Sequence, residues 1–289
     1  MIDLHTHTNC SDGADDVLEL LKRAEQRKIE VLSITDHNTC LAYQKLNMVN
    51  LKEYYTGILI KGCELRTVID GYNIELLGYH VDTDFLNQEL PKIEPTFAQL
   101  NVGEATKFFE ILINKGYTLK KENIKFNPET ESGNEKIVQE LLKYPENQHF
   151  LNIFPNREFS GKILHKEYIT NPNSDFFVDS SALLPDAKLI IGLIHQAGGL
   201  VFIPHIFAYG NSSRTILEKL LKTGGIDGIE CYYSDFTEEQ TEYLLKICYE
   251  KNYYISAGTD YHGDNRKGVE LGVGKGNMNV EKSVIENWI

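Results

Sequence analysis

Positive charge is in short supply in this chain. Its 289 residues carry 29 lysines and arginines against 42 aspartates and glutamates, a formal net charge of −13 with histidine neutral. A surface that grips nucleic acid by neutralising phosphates needs the opposite sign. Stable binding to a nucleic-acid duplex is therefore not expected, and a polyanionic substrate would need positive charge supplied locally, for instance by metal ions. Long apolar runs are missing too. None approaches the ~18 residues of a membrane-spanning helix, so no membrane partner is expected. Cysteine is sparse: Cys10, Cys40, Cys63, Cys231 and Cys248 form no CxxC, and their odd number argues against a closed disulfide framework. A reducing, cytoplasmic setting fits better. The start, Met1-Ile2-Asp3-Leu4-His5, has neither a basic nor an apolar leader segment, and Ile2 is expected to belong to the core already.

What is present reads as α/β. The length is about twice the usual ~150-residue domain, which allows two modest domains or one large unit with an insertion. Residues 1–89 alternate apolar strands with amphipathic helices: a strand at Ile2 to Leu4, a helix at about Asp15 to Lys28 with Val17, Leu20, Leu21 and Ala24 on one stripe, a strand at Val31 to Ile34, and strands at Gly57 to Glu64 and Tyr72 to Tyr79. Residues 186–289 resume the alternation, with strands at Leu200 to Pro204, Ile226 to Cys231 and Tyr253 to Ala257 between helices. Strands joined by crossover helices imply a mostly parallel sheet, and so many units favour a barrel. Residues 90–185 differ. They hold seven of the eight prolines and two Asn-rich stretches, and only Gly103 to Lys115 is firmly helical in period. This segment is expected to be an insertion capping one end of the barrel.

Ligand-type side chains recur at the carboxyl ends of these strands. His5-Thr6-His7 follows the first, and alternate residues of an extended chain point the same way, so two imidazoles converge. Ser11-Asp12-Gly13 adds a carboxylate on a tight loop. Asp36-His37 ends the next strand, Glu64 another, Pro204-His205 a later one, and Asp260-Tyr261-His262 the last. Each piece alone has a bland reading: a chance His-x-His, a helix cap, a core histidine, a loop hydrogen bond. Parallel α/β folds gather active sites at these strand ends, so the recurrence points to one metal centre. Imidazole and carboxylate without thiolate suit Mn, Fe(II) or Zn.

These motifs resemble those of the polymerase-and-histidinol-phosphatase (PHP) family of metal-dependent phosphoesterases. The resemblance rests on His5-Thr6-His7-Thr8-x-x-Ser11-Asp12-Gly13, Ile34-Thr35-Asp36-His37-Asn38, Gly62-x-Glu64 and Asp260-x-His262, and covers residues 1–85 and 186–275. It implies a distorted (β/α)7 barrel, with a largely helical insertion at the active-site end, holding two or three divalent ions (Mn, Fe or Zn). By the same resemblance His5, His7, Glu64 and Asp260 hold one ion, Glu64 bridges to a second that also takes His205, and Asp12, His37 and His262 hold a third. Two departures stand out. Glu75, in Ile74-Glu75-Leu76-Leu77-Gly78, occupies a position where that branch of the family has histidine, and Pro204-His205-Ile206 replaces its Ala-His-Pro. Glu75 remains a candidate ligand, with a negative charge in place of a neutral ring.

The implied activity is hydrolysis of the phosphate ester of a nucleotide or short RNA or DNA end by a metal-bridged hydroxide. His205 and Asp260 are the candidate catalytic residues, His205 as a proton donor to the leaving oxygen. Lys136 and Lys166 in the insertion are candidate phosphate contacts. A small metabolite phosphomonoester such as histidinol phosphate is the alternative substrate, and a non-catalytic metal-binding regulatory domain the alternative role. An amidohydrolase would also open with His-x-His, but no lysine stands at a strand end to bridge its ions. His80, His149, His165 and His195 have no spacing that brings them to the centre. Tyr232-Tyr233 is read as packing, with base stacking as the second reading.

Overall fold

The computed structural model describes residues 1–171, 173–180 and 182–289, without the side chains of Lys162 and Lys166. It divides into two compact units: residues 1–69, 74–93 and 186–289 form one, and residues 70–73 and 94–185 the other.

The first unit is a seven-stranded mixed sheet, nearly closed into a barrel. Its first half comprises β1 (Ile2–Asp3), α1 (Val17–Gln26), β2 (Val31–Ile34), α2 (Leu41–Leu46), β3 (Ile58–Ile69), β4 (Tyr72–Tyr79) and α3 (Thr83–Ile93). In α1 the stripe Val17, Leu20, Leu21 and Ala24 is buried, and Asp16 caps the N-terminus in a capping box with Glu19. Strand β2 is buried along its whole length, as expected of a strand covered on both faces.

The second unit carries α4 (Phe97–Asn114), α5 (Gly133–Leu141) and α6 (Gly161–Ile163). Helix α4 begins before the expected Gly103 because Thr96 caps it in a capping box with Gln99. Gly103 lies inside the helix, where a Cβ would come 2.7 Å from Leu183. Phe108, Leu112, Ile137, Val138, Phe150 and Phe176 belong to a separate apolar core.

Back in the first unit come α7 (Ala187–Gln196), β5 (Leu200–Ile203), α8 (Ser213–Thr223), β6 (Gly228–Tyr233), α9 (Glu238–Lys251) and β7 (Tyr254–Gly258). The strands lie in sequence order. Strands β1 to β3 are parallel, as are β5 to β7, while β4 runs antiparallel to β5. Strand β7 returns to β1: Leu4 N donates to Ala257 O at 2.9 Å and Asp260 N to His5 O at 2.8 Å. Where the parallel strands begin, Ile2, Val31, Phe202, Met278, Val280 and Trp288 pack together, and the Trp288 indole donates to Ile255 O at 2.9 Å. The opposite end carries the polar side chains.

One strand departs from expectation. Instead of ending at Glu64, β3 continues through apolar Leu65, Val68 and Ile69 and reverses at Asp70-Gly71, both at positive φ. Glu64 is thus mid-strand, level with the end of β2 through a parallel bridge to His37. Because β4 runs against β5, its early residue Glu75 lies at the end where β5 finishes.

Candidate metal centre

Beyond β1 the chain stays extended through His5, Thr6 and His7. Thr6 bridges to Tyr261, and its hydroxyl donates to Ser33 O at 2.7 Å. The loop after His7 is fastened by Asp36, which accepts from Thr8 N, Thr8 Oγ1 and Ser11 Oγ, each at 2.7 Å. Gly13 closes it at a point where a Cβ would lie 2.3 Å from His7 O. Asp36 is therefore a fastener of the loop that presents Asp12, and His37 beside it faces the cluster.

All nine side chains proposed as ligands from sequence come together. Glu64, fully buried, is the hub. Its Oε2 lies 3.1 Å from His5 Nε2, 3.3 Å from His7 Nε2 and 3.2 Å from His37 Nδ1, and its Oε1 2.7 Å from His205 Nε2. Asp260 Oδ1 is 3.2 Å from His7 Nε2, and Asp12 Oδ1 3.2 Å from His262 Nε2. Glu75 reaches in from β4, 3.5 Å from His37 Nδ1 and 3.6 Å from His205 Nε2. Three groups have donor atoms all within 4.8 Å of one another: His5, His7, Glu64 and Asp260; His7, Asp12, His37 and His262; and His37, Glu64 and Glu75. His7 belongs to two of them.

The electrostatics follow from this crowding. Burial favours neutral imidazoles, but Glu64, Glu230 and Asp260 hold His5 well above the ordinary histidine value. Asp260 and Glu64 likewise push His7 up to about 10, and Glu64 and Glu75 push His205 to about 9. Burial would raise Asp12, yet His262, His37 and His7 bring it down to about 2. Asp260 and Glu64 are held low against burial by the neighbouring imidazoles. These groups seek a counter-charge. His7 Nδ1 and Nε2 and His205 Nδ1 are buried without a hydrogen-bond partner, which is costly unless another group engages these rings. A divalent cation fits that requirement and this donor set.

Several supporting residues escaped the sequence reading. Glu230 accepts from His5 Nδ1 at 2.9 Å. Arg266 donates to Asp260 Oδ2, to Tyr233 Oη at 2.9 Å and to Asp235 at 2.8 Å. Tyr233, read as packing, also donates its hydroxyl to Asp260 Oδ2 at 3.0 Å. Both donors therefore engage Oδ2 and leave Oδ1 to face the imidazoles. Asp3, raised to about 6 by burial, ties Thr259 to the strand ends through the Thr259 N–H and hydroxyl, at 3.0 and 2.6 Å. A lone charge inside an apolar strand, as in Gly-Ile-Glu-Cys-Tyr-Tyr, was the available signal for Glu230.

Lys136 and three of the remaining histidines have other partners. Lys136 pairs with Glu131 at 2.7 Å in the second unit, and the Lys166 side chain is outside the described residues. His195 pairs with Asp227 at 2.8 Å, His149 stacks on Tyr117 and His80 packs edge-on to Trp288. No helix among the described residues is long and apolar enough to cross a membrane.

Comparison with known proteins agrees with this arrangement. A 5'-3' exoribonuclease of Haemophilus influenzae is 27% identical over 99% of this chain and 97% of its own length. A 3',5'-nucleoside bisphosphate phosphatase of Chromobacterium violaceum is 22% identical over 94% of this chain and 90% of its own. Among solved structures, a protein of Bifidobacterium adolescentis assigned as a metal-dependent phosphoesterase superposes with a TM-score of 0.61 at 18% identity, covering 98% of this chain and 93% of its own. That likeness speaks to the fold. The model of the PHP domain matches residues 3–256, and the chain belongs to the PHP domain family.

Proposed function

We propose that this chain is a metal-dependent phosphoesterase that hydrolyses a phosphate ester of a nucleotide or a short oligonucleotide end. The observation that carries the reading is the convergence of five histidines and three carboxylates around Glu64, with both His7 nitrogens buried and making no hydrogen bond. The names of the full-length relatives, an exoribonuclease and a nucleoside bisphosphate phosphatase, support the substrate class.

Two or three divalent ions, drawn from Mn, Fe or Zn, would supply Lewis acidity, activate water and offset the negative charge of a phosphate. His5, His7, Glu64 and Asp260 would hold one. Glu64, Glu75, His37 and His205 would serve a second, and Asp12, His37 and His262 a third. The chain's own contribution is orientation. Arg266 and Tyr233 keep Asp260 turned so that Oδ1 faces the cluster. His262 donates Nδ1–H to Asp260 O at 2.9 Å, which leaves Nε2 toward Asp12. His205, proposed as a ligand through Nε2, is also the side chain proposed to pass a proton from its other ring nitrogen, Nδ1, to a leaving alkoxide. This reading depends on neither Lys136 nor Lys166. A reducing cytoplasm is proposed from the odd number and scattered spacing of the five cysteines.

The test compares Mn²⁺-loaded protein on a 5'-phosphorylated oligoribonucleotide, a nucleoside 3',5'-bisphosphate and histidinol phosphate. Preference for the nucleotides is expected. Preference for histidinol phosphate would move the substrate to a small metabolite.

A further inference from the structure

Glu230 is the one charged residue of β6 and is fully buried, where an uncompensated carboxylate is costly. Both of its oxygens are committed. Oε1 accepts from His5 Nδ1 at 2.9 Å, and Oε2 from the backbone N–H of His205 at 2.7 Å. A carboxylate only accepts, so Nδ1 of His5 keeps its proton on Glu230, and Nε2 is the atom at which a metal ion would replace a proton shared with Glu64. Nε2 is the atom turned inward, 3.1 Å from Glu64 Oε2 and 3.5 Å from Asp260 Oδ1. The second bond acts on the backbone. His205 sits at φ +21°, where a non-glycine residue is uncommon, and its own Nε2 lies 2.7 Å from Glu64 Oε1. One carboxylate on β6 thereby aims imidazoles from two other strands at the two oxygens of Glu64. The fit is close: a Cβ on Gly258 would lie 2.1 Å from His5 Cβ and 2.8 Å from Glu230 Oε1.

We infer that Glu230 is a positioning residue of the metal centre: it fixes the tautomer of His5 and the backbone of His205, so that retention of the ion held by His5 depends on it while recognition of substrate does not. The inference rests on the proposed metal centre. Outer partners of this kind are worth about 10–100-fold in metal affinity. Glu230→Gln keeps the volume but offers one acceptor and one donor, so one of the two N–H groups loses its partner whichever way the amide turns.

The test has two arms. Long-range ¹H–¹⁵N spectra of the unaltered Zn²⁺-loaded protein should place the His5 proton on Nδ1, and a proton on Nε2 would overturn the inference even if the variant fails to fold. In Glu230→Gln, competition with a chelator should show affinity for one ion weakened about 10–100-fold, with KM for a nucleotide unchanged at saturating metal. A folded variant that binds every ion as tightly as the parent would overturn the inference and leave the phosphoesterase reading standing. Failure of the unaltered protein to bind metal would instead contradict that reading, and this inference with it.

Discussion

His7 is fully buried, which by itself favours a neutral ring, yet Asp260 and Glu64 hold its pKa near 10, and His205 is held near 9. Both folded values exceed the ordinary 6.5, so in the metal-free protein these protons stabilise the fold fully below about pH 6.5, and that stability is lost as pH rises through 9 to 10. Thermal melting of the metal-free protein should therefore fall between pH 7 and pH 10, and Mn²⁺ should remove the decline by replacing the protons. A melting temperature flat across that range without metal would mean these imidazoles are not charged by their neighbours. Glu75 makes a second case. Its carboxylate adds negative charge beside His37 and His205, so Glu75→His should strengthen inhibition by inorganic phosphate several-fold and speed metal loss to a chelator. Unchanged values for both would place Glu75 outside the ligand set.

The loop between β1 and α1 makes three hydrogen bonds to one side chain from the end of β2, Asp36. Asp36→Ala would strand the buried Thr8 N–H, at a cost of about 1–3 kcal/mol, and release the loop that carries Asp12. Denaturant unfolding should register that loss, and elemental analysis should show metal lost first from the group containing Asp12, His37 and His262. Full metal content at unchanged stability would deny Asp36 this role. The strands and helices of the first unit were readable because each carries its own period, and His5-Thr6-His7 was readable because its geometry is local. Glu64 was found but misplaced at a strand end, since nothing in Leu65 to Ile69 marks where pairing with β2 stops. Glu230 and Arg266 went unread for a different reason. Glu230 acts on His5, 225 residues away in sequence, and only closure of the sheet brings the two together.

A chain of net charge −13 built to receive phosphate looks contradictory until the acids are located. Four of them, Asp12, Glu64, Glu75 and Asp260, face the five clustered histidines at one end of the barrel. The apolar plug around Trp288 occupies the end where the strands begin. The barrel thus separates the apolar residues that stabilise it from the polar groups that act, and Asp3, Arg266 and Glu230 lock the junction where β7 returns to β1. Residues 90–185 were only partly readable: the prolines and asparagines set the segment apart, but helix α5 (Gly133–Leu141), which begins where the Asn-rich stretch ends at Asn134, went unrecognised. The central claim is that the clustered side chains bind more than one divalent ion and that those ions confer phosphoesterase activity. Titrating the metal-free protein with Mn²⁺ while following bound metal and hydrolysis of a 5'-phosphorylated oligoribonucleotide tests it directly. The account predicts more than one equivalent per chain, with activity rising as the ions bind and absent in Asp260→Asn. A folded protein that takes up at most one equivalent, or hydrolyses no phosphate ester with Mn, Fe or Zn, would contradict it.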